Sequence, residues 1–214
     1  AGLNKCKSVV ANMKIVFTGI QWCGKWTQAR ILVENYGFKL LEMWNEFRKL
    51  VASWTELWNK VKSIIDSGAQ VDADLGKEIM ENVLLSIKWE KIIFDGFIRN
   101  DWNKEIFDRV MPEYKVLFFN LDVGVAKQRL LGRMFDPKTW ETFTSGTTKN
   151  PKTWDNLVKR DDDKDEAAIL KRISEYETKT LPIVEIQKTE WKVIEINAFG
   201  TIDEVSENIK KALG

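Results

Sequence analysis

Residues 19–27 read Gly-Ile-Gln-Trp-Cys-Gly-Lys-Trp-Thr, which contains the Gly-x-x-x-x-Gly-Lys spacing of a phosphate-binding loop. Glycines in such a loop let successive backbone N–H groups point at one phosphate, and the following helix adds the positive end of its dipole. Lys25 would bring a full charge to the β- and γ-phosphate oxygens. The competing interpretation is a glycine turn before a helix, with a solvated lysine. The spacing favours a nucleotide polyphosphate site, because the loop stands between a strand pattern and a helix pattern.

The composition limits which side chains are available for chemistry. The 214 residues contain no histidine and two cysteines, Cys6 and Cys23, which excludes a histidine base, a His-ligated metal and a cysteine cluster. A net charge of +1 argues against a broad face for nucleic acid or membrane. No apolar run approaches the roughly 20 residues that span a bilayer, and the N-terminus does not read as a secretory signal. We therefore expect a cytoplasmic protein that works with backbone amides, Lys, Arg and carboxylates.

Strands and helices alternate along the hydrophobic pattern. Short apolar runs predict strands at 14–18, 91–94, 116–121 and 193–196. Helical spacing predicts helices at 27–36, 55–66, 74–87, 103–111, 125–133, 163–187 and 202–213, the sixth of them interrupted around Pro182. Such alternation implies βαβ units and a parallel sheet with helices on both faces. Ligands of these sheets bind at the carboxyl ends of the strands, where Gly19, Asp95 and Asp122 stand.

Four dispersed motifs accompany the phosphate loop. They are Asp95-Gly96-Phe97-Ile98-Arg99, the pair Arg129 and Arg133, Arg160-Asp161-Asp162-Asp163, and Lys171-Arg172-Ile173 through Tyr176. With these motifs the chain resembles the adenylate kinase family from about Met13 to Leu213. The combination is far more specific than any one motif, because all of them match in order along nearly the whole chain.

The resemblance implies an α/β fold: a P-loop three-layer α/β/α core with a parallel five-stranded sheet, a small lid and a helical insertion that binds the nucleoside monophosphate. The core would comprise residues 13–41, 73–133 and 161–214, with the monophosphate-binding segment at 42–72 and the lid at 134–160. The composition of 134–157, rich in Thr, Lys, Gly and Pro, suits a small excursion from the core. Residues 1–12 would be an N-terminal extension, because Met13-Lys14-Ile15 looks like a natural start.

The resemblance also implies an activity, the reversible transfer of a phosphoryl group from ATP to AMP that yields two ADP. The residues that it places at the ATP are Trp22, Cys23, Gly24, Lys25, Trp26, Thr27, Arg129, Arg133, Thr142, Phe143 and Gly200. Those at the AMP are Met43, Arg48, Ala69, Gln70, Val71, Gly96, Arg99, Asn103, Arg160 and Arg172. The catalytic residues would be Lys25, Arg99, Arg133, Arg160 and Arg172. Phosphoryl transfer depends on positioning and neutralisation of charge, so a chain without histidine is suited to it.

Expectations for cofactors and partners follow from the same resemblance. Asp95 would hold waters of the Mg²⁺ that accompanies ATP. Some relatives hold the lid with a four-cysteine zinc site, but residues 134–160 contain neither Cys nor His, so we expect no zinc here. ATP and AMP would be the partners, without nucleic acid or membrane, and the family habit suggests a monomer.

Departures from the family pattern lie on the monophosphate side. Met43 and Asn45 stand where relatives have a Thr and an acid, and Asn103 stands where they have a Gln that reads adenine. Ile98 replaces the Pro of the Asp-Gly-Phe-Pro-Arg motif. AMP is therefore less firmly indicated as the acceptor than ATP is as the donor, and a kinase of CMP, UMP or GMP is the alternative.

Tryptophan is abundant and unusually placed. The chain has ten Trp beside twelve Gly, whereas an average usage of about 7% Gly would give roughly fifteen. Trp22, Trp26 and Trp44 stand where relatives have Gly. Polar turn contexts in which Gly is the natural residue surround Trp89, Trp140, Trp154 and Trp191.

Two hypotheses explain these tryptophans. In the first, the gene belongs to a genome that decodes UGA as glycine, so that most or all of the ten positions are Gly in the cell. Alternatively the tryptophans are real, and Trp22 and Trp26 obstruct the ATP phosphates, because a nest of inward N–H groups tolerates little bulk. The chain would then be an inactive family member that binds a nucleotide or a partner.

Overall fold

A computed structural model describes residues 12–46, 73–139, 141–143, 146–159 and 166–214. The strands along the chain are β1 (Met13–Gly19), β2 (Lys39–Glu42), β3 (Lys91–Asp95), β4 (Lys115–Asn120), β5 (Met134–Phe135), β6 (Thr142–Phe143) and β7 (Val193–Asn197). Five of them form a central parallel sheet in the order β2-β3-β1-β4-β7, and β5 and β6 form a separate pair. Because every neighbouring pair in the large sheet is parallel, its five carboxyl ends lie at one edge.

Helices connect the strands. Their bounds are α1 (Lys25–Tyr36), α2 (Ala73–Ser86), α3 (Asp101–Val110), α4 (Val123–Leu131), α5 (Glu166–Glu175), α6 (Leu181–Thr189) and α7 (Ile202–Leu213). Side chains of Asn100, Asp122 and Thr201 accept hydrogen bonds from backbone N–H groups at the starts of α3, α4 and α7. Such caps satisfy N–H groups that have no partner inside the helix. They fix where three loops at the carboxyl edge turn into helices. In the described part of the chain, no helix has the length and apolar character needed to cross a bilayer.

Apolar residues cover both faces of the sheet. Within β1, Ile15 and Phe17 belong to a core cluster with residues of α1, α4, α5 and α7, whereas Val16 belongs to a second cluster with residues of α2 and α3. Successive side chains of a strand point to opposite faces, so a strand buried on both sides is continuously apolar. This arrangement confirms the predicted three-layer α/β/α fold with five parallel strands.

Strand β2 was missing from the predictions that used the hydrophobic pattern alone. It has four residues and is an outermost strand of the sheet, and among its residues Leu41 alone is buried. A strand this short and this exposed has no alternation long enough to identify. The other four strands of the large sheet and the described helices lie within a few residues of their predicted bounds. The two-residue strands β5 and β6 were not predicted, and the helix predicted at 55–66 lies outside the described residues.

The predicted interruption of the long helix near Pro182 is a π-helical turn, Tyr176–Thr180, between α5 and α6. Pro182 has no N–H to donate to the carbonyl one turn earlier, so the regular α-helical ladder cannot continue through it. The distortion therefore precedes the proline. Two residues of the turn, Tyr176 and Thr180, are buried.

Strands β5 and β6 form a small antiparallel pair in the segment predicted as the lid. The carboxylate of Asp136, which is fully buried, organises this segment. It accepts hydrogen bonds from Asn150 Nδ2 (2.6 Å), from the backbone N–H groups of Lys138 (2.8 Å) and Thr139 (3.3 Å), and from the Thr153 hydroxyl (3.3 Å). These donors, with Asn150 first among them, lower the pKa of Asp136 from 3.8 to about 2. Residues 136–139 and 150–153 read Asp-Pro-Lys-Thr and Asn-Pro-Lys-Thr, a short repeat that the sequence analysis missed.

Candidate active site

The carboxyl edge of the sheet brings the predicted strand-end residues together. In the ladder, Asp95 of β3 lies beside Phe17 of β1 on one side and Glu42 of β2 on the other. Gly19 ends β1 two residues further on, beside Phe119 of β4. Gly19 has a φ of 145°, and a Cβ there would lie 2.6 Å from the Phe119 carbonyl oxygen, so the position requires glycine. The phosphate loop therefore leaves the sheet in contact with β4 and close to Asp95.

Lys25 lies inside the curve of the loop. It opens α1 after Gly24, which has a φ of 92°. Its Nζ donates hydrogen bonds to the carbonyl oxygens of Gly19 (2.7 Å) and Ile20 (2.9 Å) and lies 3.3 Å from Cys23 Sγ. The ammonium group is thus held between the start and the end of the loop. Cys23 is buried beneath it, and Trp26 and Thr27 follow it in the first turn of α1.

Two arginines reach the phosphate loop from the end of α4. Arg129 lies in the last turn of this helix, and its Nη1 donates to the Trp22 carbonyl at 3.5 Å. Arg133 follows the helix end, is buried, and has its guanidinium 5.1 Å from the centre of the Trp22 ring. The spacing of four residues, read from the sequence as one helical face, does bring both cations to one loop.

Position 22 combines an unusual backbone with a large side chain. Trp22 has a φ of 66°, the left-handed region that glycine adopts without cost. Its indole is half-buried and lies between the loop and Arg133. A second indole, that of Trp26, lies under Arg30 of α1 with the guanidinium 4.9 Å from the ring centre.

The strands of the predicted lid lie next to α1. β5 begins directly after Arg133, and β6, formed by Thr142 and Phe143, pairs with it. An ion pair of 4.0 Å joins Arg30 of α1 to Glu141, the residue before β6. Gly200 lies in the loop between β7 and α7, where a Cβ would come within 2.9 Å of the Glu204 carboxylate that closes the capping box of α7.

A second cationic loop follows β3. Gly96 has a φ of 74°, and a Cβ at this residue would lie 2.7 Å from Nη2 of Arg99. The guanidinium of Arg99 therefore lies directly over the glycine backbone. It also stands 5.6 Å from the centre of the Trp44 ring. Burial lowers the pKa of Arg99, while the nearby carboxylates of Asp95 and Glu175 act in the opposite direction.

The backbone of Arg99 is held from two sides. Its N–H donates to Asn103 Oδ1 at 3.1 Å, and its carbonyl oxygen accepts a hydrogen bond of 2.9 Å from the hydroxyl of Thr180. Thr180 ends the π-helical turn, so that turn positions the loop after β3. Tyr176, four residues earlier, packs in one core cluster with Ile20 and Cys23 of the phosphate loop, and its burial raises the pKa of the phenol.

Two loops with cationic side chains lie at neighbouring strand ends, an arrangement suited to phosphate groups. One offers backbone N–H groups with Lys25 and Arg133, and the other offers Arg99 beside the carboxylate of Asp95. Among the described residues, no group of three or more His, Cys, Asp or Glu could hold a metal ion by itself. A single carboxylate suits Mg²⁺ bound through water and substrate phosphates, because this ion usually keeps several waters and takes one or two carboxylates.

Known proteins similar to this chain identify the family to which it belongs. The family model described as adenylate kinase matches residues 17–192, which is most of the chain and includes both cationic loops. The chain belongs to the adenylate kinase family. It is 31% identical over 212 residues to an adenylate kinase of Hydrogenobaculum sp. (strain Y04AAS1), an alignment that covers 94% of this chain and 100% of that protein. The predicted resemblance is thereby confirmed.

Other relatives give the same result. An adenylate kinase of Chloroherpeton thalassium is 31% identical over 217 residues, covering 94% of this chain and 98% of the relative. One of Borreliella burgdorferi is 29% identical over 208 residues, with the same two coverages. The enzyme class expected from the sequence, a phosphotransferase that acts on nucleoside monophosphates, is thus confirmed.

Two residues predicted at the AMP point into the core of this adenylate kinase family member. Met43 is 6% exposed and belongs to the cluster that packs under α2 and α3. Asn103 is 7% exposed, and besides accepting from Arg99 its side chain donates to Met80 Sδ at 3.6 Å. The structure thus gives Asn103 a clear part in fixing Arg99, while contact of either residue with a nucleotide stays a prediction.

Several predicted residues lie outside the described part of the chain: Arg48, Ala69, Gln70, Val71 and Arg160. Arg172 is described and lies on α5, three residues before Glu175. Residues three apart are neighbours on a helix surface, so Arg172 lies beside Glu175 on α5. Its predicted role and those of the other site residues stay predictions.

The contributions of Glu175 and Thr180 were not predicted from the sequence. Neither belongs to a glycine-rich loop: Glu175 acts on Arg99 through its charge from the end of α5, and Thr180 reaches the Arg99 carbonyl from the end of the π-helical turn. The available signal was Pro182, which marks the distortion of the helix, together with Tyr176 in the Lys171–Tyr176 motif. π-Helical turns inside α-helices often lie at functional sites, as this one does.

Proposed function

We propose that the chain catalyses the reversible transfer of the terminal phosphoryl group of ATP to AMP, yielding two ADP. The observation that carries the proposal is the pair of cationic loops at neighbouring strand ends. Lys25 is held inside the phosphate loop by carbonyl oxygens at 2.7 and 2.9 Å, and Arg99 is held over Gly96 at the next strand.

On the donor side, ATP would lie along residues 22–27. The backbone N–H groups of the loop would bind the phosphates, and Lys25 would exchange its contacts with the carbonyl oxygens for the β- and γ-phosphate oxygens. Arg133, with Arg160 and Arg172, would neutralise the transferring group. Arg129 would pack on the adenine, with Thr142 and Phe143 of the lid nearby and Gly200 at the edge of the same pocket.

On the acceptor side, Arg99 and Arg48 would hold the AMP phosphate in line with the γ-phosphate. A phosphate monoester has a second pKa of about 6, so the attacking oxygen already carries negative charge at neutral pH. No side chain is needed to remove a proton, which explains how a chain without histidine can do this chemistry. The adenine of AMP would lie near Met43, Asn103 and residues 69–71.

Magnesium would accompany ATP, with Asp95 holding its waters; when bound, the ion would neutralise charge on the β- and γ-phosphates. The lid, residues 134–160, would close over the ATP and exclude water, which suppresses hydrolysis of ATP. We propose that the buried Asp136 network gives this lid its shape. We also propose that the protein acts as a cytoplasmic monomer.

A second candidate function is a kinase of another nucleoside monophosphate. The burial of Met43 and Asn103 favours it, because a base pocket without these two side chains would lose its family contacts to adenine. In a third candidate, the chain binds nucleotide without turnover, which the indole at position 22 favours.

Formation of ADP from ATP with each of AMP, CMP, UMP and GMP separates these functions. We expect the highest kcat/KM with AMP and only slow release of phosphate from ATP alone. A preference for CMP, UMP or GMP would replace AMP as the acceptor while keeping the reaction class. ATP binding without turnover of any acceptor would contradict the proposal and favour the third candidate.

A further inference from the structure

Left-handed backbone conformations outside glycine fall on one residue type. Among the described residues, the non-glycine residues with positive φ are Trp22 (66°), Trp154 (62°) and Trp191 (58°). Such conformations are rare for non-glycine residues, where Asn and Asp are enriched, and they are outliers for bulky ones. Seven of the 158 described non-glycine residues are Trp, so three random choices among them would all be Trp only about once in 18,000. The coincidence requires a cause.

The turn around Trp191 is one in which glycine is the usual residue. After α6 ends, the N–H of Trp191 donates to the Lys188 carbonyl (3.0 Å) and the N–H of Lys192 donates to the Gln187 carbonyl (3.1 Å). This pair of bonds is the Schellman motif, whose left-handed residue is usually Gly. Gly37 takes the left-handed position at the end of α1, with a φ of 71°. Trp191 is 88% exposed, so little packing of the indole compensates for the strain.

Trp154 also has a left-handed backbone conformation, and it lies in the predicted lid. Its N–H donates to the Asn150 carbonyl at 2.8 Å, which closes a turn that needs its left-handed φ. The indole is 75% exposed. Neither Trp154 nor Trp191 has a visible reason to be tryptophan, since each side chain projects into solvent from a strained backbone.

Position 22 lies in the phosphate loop itself. There the left-handed φ turns backbone N–H groups inward, as a phosphate-binding nest requires. The indole adds bulk at the place where a phosphate would approach, and the Arg133 guanidinium lies on its ring. A hydrogen atom in its place would leave the loop conformation intact and open the space between Arg133 and the loop.

We propose that glycine occupies positions 22, 154 and 191 in the protein as its host makes it, because UGA codons at these positions are decoded as glycine and not as tryptophan. Position 22 then becomes part of the phosphate-binding nest and sets how closely Arg133 approaches the ATP. Only this last consequence rests on the proposed function; the assignments of 154 and 191 rest on backbone conformation alone.

The direct test is the gene together with the mass of the protein purified from its own host. We expect UGA at codons 22, 154 and 191, and peptides lighter by the mass difference between Trp and Gly at each position. UGG at these codons, or peptides with the mass of tryptophan, would overturn the proposal whatever the enzyme's activity.

Variants of the chain as printed test the physical reason. Trp154→Gly and Trp191→Gly should each raise Tm by about 2–4 °C, since relief of left-handed strain in a chain of this size has an effect of that order. Trp89→Gly is the matched control: Trp89 is 46% exposed and has no positive φ, so its replacement should leave Tm unchanged or lower it. No gain at 154 and 191, or an equal gain at 89, would refute the backbone argument.

Binding of ATP to Trp22→Gly separates this inference from the proposed function. We expect tighter ATP binding than in the chain as printed. If the variant binds ATP more tightly but phosphorylates no monophosphate, the glycine assignment stands and the proposed function fails. If the codons are UGG and the tryptophan-containing chain phosphorylates AMP efficiently, the glycine assignment fails and the proposed function stands.

Discussion

Gly96 and Trp22 occupy comparable places in two neighbouring loops. β1 and β3 pair in the sheet, and each is followed by a loop with a left-handed residue, φ 66° at Trp22 and 74° at Gly96. An arginine lies over each: Nη2 of Arg99 is 2.7 Å from the site of a Cβ on Gly96, whereas the Arg133 guanidinium is 5.1 Å from the Trp22 ring centre. The two residues share a left-handed φ and differ in what separates the cation from the backbone. The backbone thus takes a left-handed φ with either residue, while the side chain at the position decides how closely the cation approaches the backbone.

The largest expected effect concerns the charge that the phosphate loop holds. Lys25→Met should lower ADP formation by about 100- to 1000-fold, as loss of one preorganised charge in a site typically does. A coupled assay of ADP formation with ATP and AMP measures it. Lys39→Met, at the exposed start of β2, is the control and should keep full activity. Retention of activity in Lys25→Met would show that the loop after β1 does not bind the transferred group.

Gly96→Ala tests the loop after β3. The methyl group would displace Arg99, so we expect KM for AMP to rise by about 10- to 100-fold, as for loss of a hydrogen bond to a charged group. KM for ATP should stay unchanged. Gly37→Ala is matched to it, because Gly37 has a φ of 71° with nothing within 4 Å of its Cβ site. Both variants carry backbone strain of about 1–2 kcal/mol, but only the first should change KM for AMP.

Thr180→Val tests the support of Arg99 by the π-helical turn. Removal of a single hydroxyl donor costs about 0.5–1.5 kcal/mol, so KM for AMP should rise by about two- to tenfold with little change in KM for ATP. Thr180→Ser should restore the native value. Thr178→Val is the control, because the Thr178 hydroxyl donates to the Ser174 carbonyl within the same helix, on the exposed side of the turn. An equal effect of both valine variants would mean that the change acts through helix stability.

Asp136→Asn tests the predicted lid and has the smallest expected effect on activity. The pKa of Asp136 is lowered from 3.8 to about 2, so its ionised form contributes stability above about pH 4 that is lost as pH falls toward 2. The difference in Tm between the native chain and Asp136→Asn should be constant above pH 4 and disappear near pH 2. Asp155→Asn, which removes the exposed ion pair with Lys138, should cost little. A difference that does not change with pH would contradict this role of the carboxylate.

The sequence predicts the frame of this molecule because its strands are buried on both faces. Continuous apolar runs such as Lys91–Asp95 and the loops that follow them are strong local signals, and they place Gly19 and Asp95 at one edge. The outermost strand Lys39–Glu42 was not predicted, because one buried residue in four makes no recognisable hydrophobic pattern.

The site was predictable where a motif encodes a backbone shape and unpredictable where support comes from a distant element. Lys25, Gly96 and Arg99 belong to local motifs, and the structure places them at the sheet edge. The hydrogen bond from Thr180 to Arg99 depends on a helix register that shifts before Pro182. The inward direction of Asn103 depends on packing against Met80, which no local pattern reports.

The rate of ADP formation from ATP and AMP by Trp22→Gly/Trp26→Gly, compared with the chain as printed, tests the central claim most directly. A nest of main-chain N–H groups around Lys25 predicts a large gain in kcat/KM for ATP, together with an unchanged or higher Tm that excludes a folding defect. Equal activity of the two forms would contradict the claim, because the indole at position 22 would then not obstruct the phosphates.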